Sequence, residues 1–103
     1  MNIKEIALNE IKKTVIQFAD LSPEDAQNLQ EHAGNVAEKL SQVPPRDFEN
    51  ETKYAANKIA LDANLIAANH GNFLDNTNLV AIAETIRAIL SIVAQFLTLE
   101  EAG

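Results

Sequence analysis

Residues 79–99 read LVAIAETIRAILSIVAQFLTL, and the way a protein houses this stretch decides its fold. Two apolar seams at helical spacing overlap in it, one through Leu79, Ile82, Ile86, Ile89, Val93 and Phe96, the other through Ala83, Ile86, Leu90, Val93 and Leu97. Glu84, Arg87, Ser91, Gln95 and Thr98 form one thin polar strip, in which Glu84 and Arg87 stand three apart and are able to pair. The longest run free of charge is Ala88 to Leu99, and such a run of helix reaches only ~18 Å against a ~30 Å hydrocarbon core. The stretch is therefore expected to be the buried central helix of a globular bundle over about 77–99, not a membrane span.

A central helix needs neighbours, and the upstream sequence supplies three. Over about 48–70 the apolar residues fall on two faces when each position is advanced by 100°. Tyr54, Leu61, Leu65 and Ala68 make one stripe; Ala55, Ile59, Ala63 and Ile66 make the other, with Lys58, Asp62 and Asn69 in a polar strip between them. A helix apolar on two faces has two faces to bury. His70-Gly71-Asn72 closes it, with Gly71 free to take the left-handed conformation that ends helices. Phe73 and Leu74 are expected to fold back over that end, and any of Asp75, Asn76, Thr77 and Asn78 can cap the next helix.

Ser22-Pro23-Glu24-Asp25 is the clearest helix start in the chain: a Ser cap, a Pro whose missing N–H costs nothing at the first position, and two acids at the positive helix end. A helix over 22–43 follows, with a seam of Ala26, Leu29, Ala33, Val36, Leu40 and Val43 that spares Gly34. Pro44-Pro45 is expected to stop it, with Asp47 capping the next helix and Phe48 anchoring the connection. Before it, Leu8, Ile11, Val15 and Phe18 stripe a helix over 2–19, leaving Ile6 and Ile16 off the stripe. The fold class is all-α: one domain, 1–103, an antiparallel bundle of four helices at about 2–19, 22–43, 48–70 and 77–99 with a frayed tail at 100–103.

Composition removes whole classes of chemistry. There is no Cys among 103 residues, which excludes thiol nucleophiles, cysteine zinc sites and iron–sulfur ligation. Eight Lys and Arg against fifteen Asp and Glu leave a formal charge of -7, and the cations are scattered, so no nucleic-acid or anionic-membrane partner is expected. Neither Glu-x-x-His nor His-x-x-x-His occurs, nor a P-loop, GxGxxG or GxSxG, so no cofactor, metal or catalytic residue is assigned. His32 lies on the polar side of its helix and His70 at a helix end, where the dipole favours a cation. The polar start 1–13 lacks the apolar run of a secretory signal, which points to the cytoplasm.

What remains is an apolar surplus. The third and fourth helices carry about two apolar faces each, so a homodimer is expected, with Tyr54, Leu61 and Leu65 or Leu90, Val93 and Leu97 at its interface. Phe48 and Phe73, in connections rather than on seams, either close the core or anchor a partner. The leading function class is a non-enzymatic helical protein-protein interaction or assembly module. Its competitors are an acidic inhibitor or nucleic-acid mimic, favoured by charge, and a small enzyme without a recognisable motif. In size and acidity the chain is similar to small helical products of bacteria and their phages, a general likeness that names no family.

Overall fold

Helix ends lie where a side chain or a neighbouring turn can satisfy open backbone groups, as at the starts of α1, α2 and α4 and at the end of α3. The computed structural model describes residues 2–102, which form α1 (Ile3–Ala19), α2 (Pro23–Leu40), α3 (Pro45–Asn69) and α4 (Asn76–Ala102), with no strand among the described residues. Ser22 caps α2 as its sequence implies, its Oγ accepting from the Asp25 N–H at 3.1 Å. Among the four candidates to cap α4 it is Asp75 that does so, its carboxylate accepting from the Asn78 N–H at 2.8 Å. The α3 end is a complete Schellman turn: the Asn72 and Gly71 N–H groups donate to Ala67 and Ala68 carbonyls, both at 2.9 Å, with Gly71 at φ 78°.

Around the double proline, two boundaries differ from the sequence reading. Helix α2 ends at Leu40 instead of Val43, because the chain tightens there: Gln42 and Val43 donate back only three residues, to Lys39 and Leu40. Helix α3 begins at Pro45 instead of 48, since proline at a first helical position gives up a donor that would have had no partner. Pro44, extended at ψ 143°, occupies the cap position. Asp47 is thus in the first turn, not the cap, and Phe48 lies inside α3, half-buried against the core, instead of in a connection. At the far end α4 runs through Ala102, past the expected boundary, and Gly103 lies outside the described residues.

The polar contacts fix the directions of the helices. Along α1 and α2, Lys12 donates to Gln27 at 3.2 Å, Gln30 to Asn9 at 3.0 Å, and Lys4 pairs with Glu38 at 3.5 Å, so rising numbers on one meet falling numbers on the other. Asn72 donates its side-chain amide to the Ala19 carbonyl at 3.1 Å, bringing the ends of α1 and α3 together. Thr98 donates to the Ser41 carbonyl at 3.0 Å and does the same for α2 and α4. The four helices therefore alternate up and down. Arg87 pairs with Glu49 of α3 at 3.2 Å rather than with Glu84, tying α4 to α3 instead of to its own next turn.

Helix α4 is central: it packs against all three others, most extensively α3 and α1, which themselves barely touch. Both of its predicted seams are used within one chain, Ile82, Ile86, Ile89, Leu90 and Val93 being buried and Leu79, Ala83 and Leu97 half-buried against the core. It is not enclosed, however. Val80, Ile92 and Leu99 face outward, and by length and composition the segment Asn76–Glu100 is apolar enough to cross a membrane, with about a third of its most apolar window buried in this fold. The partial burial follows from the shape of the molecule, a slab of 46 × 30 × 16 Å. Ala26, Ala33 and Ala37 of α2 and Ala56, Ala60, Ala63 and Ala67 of α3 are buried, and small side chains at a helix contact let the axes approach and keep the slab thin.

Candidate functional site

A thin core leaves large apolar residues over, and α3 shows where. Its buried side is the alanine side, with Thr52, Ala56, Ile59, Ala60, Ala63 and Ala67 turned inward. At 100° per residue the stripe of Tyr54, Leu61 and Leu65 lies on the opposite side of the helix. These three side chains are 68, 51 and 64% exposed, respectively. Of the second expected stripe Ile59 and Ala63 are buried while Ala55 and Ile66 are half-buried, so the core side of α3 is turned slightly from that stripe, and Tyr54, Leu61 and Leu65 stay uncovered.

Beside this stripe runs a row of residues spaced by four: Tyr54, Lys58, Asp62 and Ile66. Lys58 and Asp62 stand one turn apart, yet among the described residues neither belongs to an ion pair; the acids that pair with Lys or Arg are Glu10, Glu38, Asp47 and Glu49, with Lys13, Lys4, Arg46 and Arg87 as partners. The row ends in a groove of about 400 Å³ between α2 and α3, floored by Leu29 and Ile66, with exposed Leu65 on one wall and Asp25, Asn28, His32 and Asp62 also lining it. His70 reaches Asp25 of that lining, at 3.8 Å. Among the described residues no three His, Asp or Glu side chains are grouped so as to hold a metal ion.

Two more hollows lie along α4. A cleft of about 760 Å³ opens between the α2–α3 turn and the end of α4, lined chiefly by Leu40, Val43, Pro44, Pro45, Phe48 and Leu99. A smaller one of about 280 Å³ shares Phe48 and Gln95 with it and reaches Thr52, Arg87 and Ser91. The Thr52 hydroxyl, on a residue only 2% exposed, has no hydrogen-bond partner.

The structure sorts the interface candidates. Tyr54, Leu61 and Leu65 stand together on the surface. Leu90 and Val93 lie in the core of a single chain, at 0 and 1% exposure, so that face is consumed by folding and offers nothing to a second copy. Leu97 and Phe48 are half-buried and pack against the same core. Phe73 does not fold back over the end of α3: it is 80% exposed, while Leu74 takes the place against the core. Compared with family models, with curated proteins and with solved structures, the chain matches none of them.

Sequence reasoning missed the groove and the pairing potential of Lys58 and Asp62, which it reads only as part of a narrow polar strip between two apolar stripes. The available signal was their order. An acid four residues before a base pairs well along a helix, whereas a base before an acid does so less favourably and leaves both groups freer for other partners.

Proposed function

We propose that the protein is a non-enzymatic helical assembly module that self-associates as a homodimer through the outer face of α3. The observation that carries this reading is the exposed stripe of Tyr54, Leu61 and Leu65, opposite the core on a helix of 25 residues. Burying a large apolar side chain is worth roughly 1.5–3 kcal/mol relative to leaving it in water. A closed two-fold dimer covers the stripe on both copies with one contact and leaves no open end. The acidic-mimic reading has less support, because the acids are spread over helix starts and surface ion pairs rather than gathered in a band.

Light scattering at micromolar concentration is the test. The expected mass is twice that of the 11.3 kDa chain. Leu61→Glu together with Leu65→Glu should return it to the mass of one chain with helical circular dichroism unchanged, since both side chains are exposed. Association through an apolar face should persist in high salt. A wild-type protein that runs as a single chain throughout this range ends the reading.

A further inference from the structure

We propose that two copies pair through antiparallel α3 helices about a two-fold axis at the level of residue 60, so that Tyr54 of each copy enters the α2–α3 groove of the other; this rests on the reading of α3 as the self-associating face. The argument is the internal symmetry of one row. Tyr54 and Ile66 are each six positions from residue 60, and Lys58 and Asp62 are each two positions from it. A two-fold contact requires that if one residue meets a second, the second meets the first. Laid antiparallel on its own copy about that level, the row sets tyrosine against the groove floor at Ile66, and lysine against aspartate, each twice. Leu61 of the two copies then meets across the axis.

The charges select this arrangement over its alternatives. A parallel pair in register would put Lys58 on Lys58 and Asp62 on Asp62, and like charges facing each other at a contact are unfavourable. It would also set Tyr54 on Tyr54, twelve positions from the floor at Ile66 that can receive it. The groove suits an aromatic ring with one polar tip: its floor is Leu29 and Ile66, Leu65 adds an apolar wall, and carboxylates line it at Asp25 and Asp62. A buried tyrosine hydroxyl needs such an acceptor. A second copy is therefore the occupant for which knob, groove and opposite charges are all supplied by the chain itself.

Two measurements test the register separately from self-association. Since the chain has no Cys, Asn50→Cys carries a single spin label on an exposed position. Its copies should lie about 30 Å apart in the antiparallel pair, from twenty residues of axial separation, and about 10 Å apart in a parallel one. Independently, Lys58→Asp or Asp62→Lys alone should weaken the dimer about tenfold, each creating two like-charge contacts, and the double swap should recover to within about threefold of the wild type. A dimer with a short label distance, or one in which the double swap is no better than the single changes, overturns the register and leaves self-association standing. A single-chain mass for the wild type overturns both, as does a monomer that uses Tyr54 to hold a different protein.

Discussion

Gly34 sits in the middle of α2, where the chain has every local reason to carry alanine, and Gly34→Ala should stabilise the protein. Glycine in a helix interior costs about 1 kcal/mol relative to alanine through the backbone freedom it loses on folding. Against this gain stands one contact. A methyl group built on Gly34 meets the Leu8 Cδ1 of α1 at 3.3 Å, and nothing else comes closer. The optimum for two carbon atoms is about 3.5–4.0 Å, so Leu8 has to yield by a few tenths of an ångström.

It has room to do so. Leu8 and Gly34 both border a surface groove of about 410 Å³ between α1 and α2, and Leu8 Cδ1 is the end of a flexible side chain rather than backbone. Setting a small shift against the propensity gain leaves a net stabilisation of roughly 0.5–1 kcal/mol, or about 2–6 °C in Tm for a domain of this size. Urea unfolding followed by circular dichroism should show a higher midpoint with an unchanged slope. Protein concentration has to be held fixed, because association makes Tm concentration-dependent. A lower midpoint would refute the reasoning: it would mean that α1 and α2 are locked at this crossing and that glycine is there to permit the approach.

Asn72→Ala removes the hydrogen bond to the Ala19 carbonyl that joins the ends of α1 and α3, and should cost about 1–2 kcal/mol in urea unfolding; no change would mean that water replaces it without loss. Asp20 ends α1 at φ 53°, a left-handed conformation that glycine adopts freely, and its charge opposes the helix dipole, so Asp20→Gly should stabilise by about 1 kcal/mol, against which a drop in Tm would count. Phe73→Ala should change stability by less than about 0.5 kcal/mol, since the ring is exposed; a loss of several kcal/mol would return Phe73 to the core.

Local chemistry was the legible part of this chain. Ser22 and Pro23 announce α2 because capping is decided within four residues, and Gly71 announces the end of α3 because few residues take its backbone angles. The same rule was available at Pro45 and was outweighed there by the helix-breaking reputation of a double proline. Pro44 does break the path from α2, and Pro45 is already the first residue of α3. Breaking one helix and opening the next are compatible acts for adjacent prolines.

Periodicity, by contrast, shows which residues share a face and says nothing about which face meets a neighbour. Helix α3 offered an alanine-rich face and a face of Tyr54, Leu61 and Leu65, and by side-chain size alone the second should be the core. Folding buries the first, because α2 contributes alanines of its own to the core and α4 has to pack close against α3. Once that choice is made the larger residues cannot be covered by their own chain: a slab 16 Å thick has no further layer to place over them. Their size is then wasted in water or used between chains, and the row from Tyr54 to Ile66 acquires meaning as a surface only after the alanines have turned inward. Two-fold matching within one helix is a property of sequence, visible in the spacing of Tyr54, Lys58, Asp62 and Ile66, but it becomes an argument about assembly only when the fold has shown that this row faces out.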